Sequence, residues 1–332
     1  MQYTPEVLRR HAQVLVDKDI KKNRDILAVY LRGSLLYGSP LLGGVGDIDL
    51  VFIHNSPPEI DREIRKLTPE ILFDITHHDQ LPYRTPRELR LDPWLGPTLR
   101  DALPLYDPRH LLDYTQSGVR SNFDFPENIQ VRSRVLLDLA RQFWLDRQIN
   151  PPLDILTEFT EFLAALQRAA NAVASIAGPP LSIRHLGKDF GQRTNQLNAP
   201  GLAVAFDHLL GAVNLPKDRL LEWLDNWSQA MQALQKERGQ GTILVDQENY
   251  FYAAMDYLIQ NEPRSAGLWT LLNTWTEIIT QLSDRTQAQT PWIAAITSLG
   301  FAGSDYQDRL AAFDGFLELC ESLVMKETEG AV

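Results

Sequence analysis

The sequence predicts an α+β protein, a strand-bearing N-terminal domain followed by an all-helical one. Apolar runs of strand length alternate with helical patterns only in the first third of the chain. After about residue 126 strand signals nearly vanish and long helical stripes take over. The length, 332 residues, exceeds what one ordinary core organises, so two domains are expected.

Taken in order, PEVLRRHAQVLVDK (5–18) carries Val7, Leu8, Val14, Leu15 and Val16 and fits an amphipathic helix. DILAVYLRG (25–33) reads as a strand ending at glycine. DIDLVFIH (47–54) reads as a second strand, stopped by Asn55-Ser56-Pro57-Pro58. PEIDREIRKL (58–67) reads as a short charged surface helix, and EILFDITHHD (70–79) as a third strand. LDPWLGPTLRDALPLYDP (91–108) reads as short helical pieces and turns. The first domain is expected over 1–112 and a linker over 113–127, in the stretch that contains TQSGVRSNFDFPEN (115–128). The helical domain then spans 128–332. Its clearest stripe lies in 152–178, with apolar residues at 155, 156, 159, 162, 163, 166, 170, 173 and 177, closed by Gly178-Pro179-Pro180. Similar stripes run through 128–147, 217–236, 247–260, 265–283 and 306–325. Trp94, Trp144, Trp223 and Trp227 read as core residues. No fixed-period repeat or low-complexity segment is present.

Composition narrows the function. Hydrophobic content of 44% and charged content of 23% are those of a soluble globular protein. No apolar run approaches a membrane span, and MQYTPEVLRRHAQ lacks the basic start and apolar core of a signal peptide. A single cysteine, Cys320, excludes an internal disulfide and a cysteine-rich zinc site. A cytoplasmic address is the expectation. The net charge of −11 argues against a nucleic-acid partner and suits a cationic substrate. No G-x-x-x-x-G-K-[ST] occurs. GGVG (43–46) precedes a strand where a dinucleotide fingerprint requires a helix.

The chemistry concentrates in VYLRGSLLYGSPLLGGVGDIDLVFI (29–53). Residues two apart on a strand share a face, so Asp47 and Asp49 point one way while Ile48, Leu50 and Phe52 point into a core. Two carboxylates that close repel, and arginine or a divalent cation offsets the repulsion. Mg²⁺ takes oxygen ligands and is commonly held by one or two carboxylates together with substrate phosphates. By itself D-x-D more often decorates a solvated strand end. Gly33-Ser34 adds context. It closes the preceding strand where a helix could start, and backbone N–H groups at a helix start favour phosphate. His77 and His78, adjacent on a strand, point to opposite faces and read as structural.

Gly-Ser, a glycine-bearing spacer and then Asp-x-Asp on a strand resembles the DNA polymerase β-like nucleotidyltransferase superfamily. YGSPLLGGVGDIDLVFI and the downstream LFDITHH are most similar to its aminoglycoside adenylyltransferase branch and bacterial relatives of that branch. The likeness is at the level of motifs over residues 29–79 and of architecture beyond. It implies an N-terminal mixed sheet domain joined to a C-terminal helical domain, Mg²⁺ as cofactor and a nucleoside triphosphate, ATP first, as co-substrate. It implies that Asp47 and Asp49 hold the metal and that Gly33 and Ser34 orient the triphosphate. Asp74, in LFDITHH, matches the family's third carboxylate, which completes the metal shell or accepts the proton of the attacking hydroxyl. A basic residue of the helical domain often reaches the triphosphate. Arg184, His185 and Lys188, in LSIRHLGKDFGQR, are the candidates, with a solvated basic face as the alternative. Glu158 and Glu161 could bind substrate amines or simply be surface acids.

The sequence departs from the family pattern in two places. The spacer between Ser34 and Asp47, residues 35–46, is slightly longer than the common form, and Gly46 stands where a serine often precedes the first aspartate. A second pair, Gly38-Ser39, competes for the phosphate role.

The expected activity is Mg²⁺-dependent transfer of a nucleoside monophosphate to a hydroxyl of a small molecule, an aminoglycoside or other polyamine among the possibilities. One rival is a protein-modifying adenylyltransferase of the antitoxin type. The fused R-x(4–6)-H toxin motif is absent, since none of the seven histidines has an arginine five to seven residues before it. The other rival is a non-catalytic nucleotide-binding scaffold.

Overall fold

The computed structural model describes residues 3–38, 41–150, 154–239 and 241–329. By its contacts the chain divides into Met1–Asn128 and Ile129–Val332.

The first unit opens with α1 (Pro5–Lys22). Thr4 caps it by accepting from the Val7 N–H, and Pro5 sits at its first position, where no N–H is needed. Then follow β1 (Ile26–Arg32), β2 (Gly46–His54), β3 (Arg62–Lys66) and β4 (Ile71–Asp79). Next come α2 (Pro86–Leu91), α3 (Leu95–Asp101), β5 (Leu103–Tyr106) and α4 (Leu111–Arg120). The strands form one sheet in the order β3-β4-β2-β1-β5. β2 and β4 run parallel and the other pairs antiparallel, so the sheet is mixed.

Both faces of the sheet are covered, which explains why β1 and β2 are almost continuously apolar. Val29, Leu31, Ile48, Leu50, Phe52, Phe73 and Ile75 pack on one side with Leu8, Ala12 and Val16 of α1. Ala28, Tyr30, Val51 and Ile53 pack on the other with Leu89, Leu99, Leu112 and Val119 of α2 to α4. Ile48, Leu50 and Phe52 therefore do enter a core.

Three expectations for this unit are corrected. Residues 58–67 hold β3, a strand, where a charged helix was expected. REIRK is an edge strand, and charge on an edge blunts pairing with other chains. The proline-rich passage contains α3 and also β5, a short edge strand with Pro104 in it. Much of the expected linker is α4, whose Leu112, Thr115, Gln116 and Val119 are buried. The Gln116 amide donates to the carbonyls of Leu99 and Ala102, tying α4 to the end of α3.

The second unit contains most of α5 (Pro126–Ile149), then α6 (Ile155–Ala174), α7 (Leu186–Gln196), α8 (Pro200–Leu210) and α9 (Lys217–Arg238). It continues with α10 (Ile243–Asp246), α11 (Glu248–Asn261), α12 (Arg264–Gln281), α13 (Thr286–Ser298) and α14 (Tyr306–Glu329). The stripe read in 152–178 is α6, with Leu156, Phe159, Phe162, Leu163, Leu166, Ala170 and Val173 buried. α7, α8, α10 and α13 form where no stripe was read. Trp223 and Trp227 are core residues as expected, and Trp144 packs against the core partly buried. Trp94 is 41% exposed and is not a core residue. Among the described residues no helix is long and apolar enough to cross a membrane.

Candidate functional site

The parallel pairing of β2 and β4 builds the site. Its register sets Asp49 beside Asp74 and Asp47 beside Leu72. Strand alternation turns Asp47, Asp49 and Asp74 to one side, the side of Tyr30, Val51 and Ile53. One carboxylate oxygen from each of the three lies within 4.8 Å of the others. Asp47 is 9% exposed and Asp74 4%, while Asp49 is partly buried. This is the only group of three or more metal-ligating side chains at such spacing among the described residues.

Gly33 makes room for it. Its φ of +80° and ψ of −163° belong to a region that L side chains avoid. A Cβ there would lie 1.9 Å from Asp49 Oδ2, so the turn after β1 rests directly against the carboxylate. Ser34 opens a one-turn 3₁₀ helix, Ser34–Leu36, rather than an α-helix. The turn closes through Leu36 N–H to Gly33 O and Tyr37 N–H to Ser34 O. In the competing pair Gly38-Ser39, the serine lies outside the described residues.

Two arginines flank the acids. Arg62 on β3 grips Asp74 with a two-pronged fork, Nε to Oδ1 at 2.8 Å and Nη2 to Oδ2 at 2.5 Å. Arg32, paired in register with Asp49, donates to Thr76 Oγ1 at 3.3 Å. Burial pushes the Asp49 carboxyl well above the usual carboxylate range. Asp47 and Asp74 push the same way, against Arg32 and Arg62.

The same face continues along β4. His78 Nδ1 meets the Tyr83 hydroxyl at 2.6 Å, which meets the Tyr30 hydroxyl at 3.0 Å. Burial, with Arg32 and His77, pushes His78 down to about 4 against Asp61, which keeps this imidazole neutral near pH 7. Burial raises Tyr30 to about 12. His77 faces the opposite side, against His54 at 2.9 Å and Glu63 at 3.1 Å. The two histidines thus diverge as alternation requires, and each sits in a hydrogen-bond network of the fold.

Lys188 lies on α7 in the second unit, with its ammonium 2.8 Å from Asp189, which also takes His185. Burial opposes the Lys188 charge, but Asp189, Glu262 and Tyr257 together hold the ammonium above its ordinary value. Arg184 is buried and stacked on Tyr250. Glu158 is not a surface acid. It is 5% exposed, 3.0 Å from Arg147 and bonded by the Tyr306 hydroxyl, while Glu161 also pairs with Arg147. A separate cleft of about 880 Å³ in the first unit is lined by Arg9, Tyr37, Arg100, Gln116 and Phe123, and by none of the three aspartates.

Sequence reasoning missed Arg62 and Arg32. Arg62 sits in the segment read as a helix, so its face could not be assigned. Arg32 was legible in principle, since it precedes Gly33 and alternates with Tyr30. No protein-family model matches the chain, and no curated protein is significantly similar to it.

Proposed function

We propose that this protein is a divalent-cation-dependent nucleotidyltransferase, moving AMP from ATP to a hydroxyl of a small, cationic acceptor. The observation that carries this reading is the convergence of Asp47, Asp49 and Asp74 within 4.8 Å, with the Gly33 turn packed on Asp49. An all-carboxylate donor set suits a hard cation such as Mg²⁺ and lacks the imidazole or thiolate that zinc and copper favour. The raised Asp49 carboxyl also fits, because such a cation offsets the burial and the neighbouring Asp47 and Asp74 charges that raise it.

Asp47 and Asp49, with Asp74, would hold the ion, which when bound neutralises charge on the triphosphate. The Gly33-Ser34 turn orients the phosphates beside Asp49. Asp74 accepts the proton of the acceptor hydroxyl as its oxygen attacks the α-phosphorus. The bond to the bridging oxygen breaks, and pyrophosphate leaves with that electron pair. Lys188 is assigned to the triphosphate by the resemblance alone. The net charge of −11 supports a polyamine acceptor such as an aminoglycoside.

The test is pyrophosphate release from each nucleoside triphosphate with Mg²⁺, with and without an aminoglycoside panel, for wild type and Asp47→Asn. Release that needs one acceptor and is lost in the variant is expected. A wild type that neither releases pyrophosphate nor binds Mg²⁺-nucleotide overturns the reading.

A further inference from the structure

Asp74 reaches the cluster already occupied. Both of its oxygens accept from Arg62, in the geometry that fits guanidinium to carboxylate. The two partners differ in exposure: the Asp74 side chain is 6% exposed and that of Arg62 is 42%. A buried carboxylate beside two others needs a counter-charge, and here it comes from a side chain that remains half in water. Such a cation is cheap to release, since solvent screens the pair and rehydrates the guanidinium. Each Asp74 oxygen keeps a second lone pair, but a guanidinium and a divalent ion on one carboxylate repel.

Arg32 is placed differently. It donates to Thr76 Oγ1 at 3.3 Å. It contributes charge to the face, whereas Arg62 occupies a ligand.

We propose that Arg62 is the resident counter-cation of the acidic cluster, holding the Asp74 carboxylate until a divalent cation displaces it and thereby setting how tightly the site binds metal. This rests on the reading of the three aspartates as a metal site and adds a positioning residue to it. Arg62 acts through Asp74, holding its two oxygens in place until a metal binds, and it lowers metal affinity by competition.

Mn²⁺ is the probe, with free aquo-ion counted by its paramagnetic resonance signal. It is titrated into wild type, Arg62→Ala, Asp74→Asn and the double variant, each with its circular dichroism recorded. Arg62→Ala is expected to bind Mn²⁺ about tenfold tighter than wild type, and the gain is expected to shrink below about twofold in the Asp74→Asn background. Arg62→Lys keeps the charge but cannot fork, and should also bind tighter than wild type. It stands in if the alanine variant does not fold. An equal gain in both backgrounds, with Arg62→Lys unchanged from wild type, would mean a general charge effect and overturns the proposal. An Arg62→Ala affinity equal to or weaker than wild type also overturns it, while leaving the metal site standing. Absence of Mn²⁺ binding in wild type removes the metal site and this proposal together.

Discussion

Asp49 concentrates the physics of the site in one residue. Burial, then Asp47 and Asp74, raise its folded-state pKa above that of the unfolded chain. Its protonated form therefore stabilises the metal-free fold fully below the ordinary carboxylate range, and that contribution is lost as pH rises through the folded value. A bound divalent cation removes the penalty of ionisation. The rise in unfolding temperature caused by Mg²⁺ is thus expected to be near zero at about pH 4 and to grow towards about 5 °C by about pH 8. Fluorimetric melts with and without Mg²⁺ across that range check this, and a shift that is flat or falls with pH would refute it. The three aspartates were legible because alternation in DIDLVFIH and LFDITHH assigns each to a face without knowledge of the partner strand. The need for glycine at 33 was not, since it depends on where Asp49 Oδ2 lies across a strand pairing.

At the scale of elements, the strands and helices that the sequence announced are those with an apolar periodicity of their own. β1, β2, β4, α6 and α12 bury a regular set of positions and declare themselves. The edge strands β3 and β5 do not, because an edge strand gains its place from backbone pairing and carries charge or proline instead. That is also why Arg62 escaped notice. Among the helices, α5, α6 and α14 are joined by a buried polar knot. Arg147 from α5 meets Glu158 of α6 at 3.0 Å, and Tyr306 at the start of α14 donates to the same carboxylate. The Arg147 and Glu158 side chains are 7% and 6% exposed. Arg147→Ala leaves Glu158 buried without its cation and is expected to cost about 3–5 kcal/mol. Urea unfolding of the full chain followed by circular dichroism measures this. A loss below about 1 kcal/mol would return Glu158 to the candidates for substrate contact.

For the whole molecule, charge is the property most open to test. With 43 acidic against 32 basic residues, the protein carries a field that concentrates cations near its surface. If the acceptor is a polyamine, raising ionic strength from about 0.02 M to about 0.3 M should lower kcat/KM for it roughly tenfold with kcat little changed. A neutral acceptor should show no such dependence, and equal salt profiles for the two would refute electrostatic steering. The sequence predicted a sheet followed by helices, and helices do follow the five-stranded sheet. It did not predict α4, whose buried positions are filled by Thr115 and Gln116 as well as Leu112 and Val119. That blurs the stripe from which a helix is read.

The sheet also implies an order of events in time. β3 and β4 are joined by a short turn, closed by Leu67 and Thr68 N–H groups on the Ile71 carbonyl, and pair as a local hairpin. β2 joins β4 in parallel, with that hairpin strand intervening in the chain, and such contacts form later than local ones. The Arg62 fork on Asp74 belongs to the hairpin. Asp74 would then arrive at Asp47 and Asp49 with both of its oxygens already held by Arg62, so the last step of sheet assembly brings a guanidinium to the acidic pair along with the third acid.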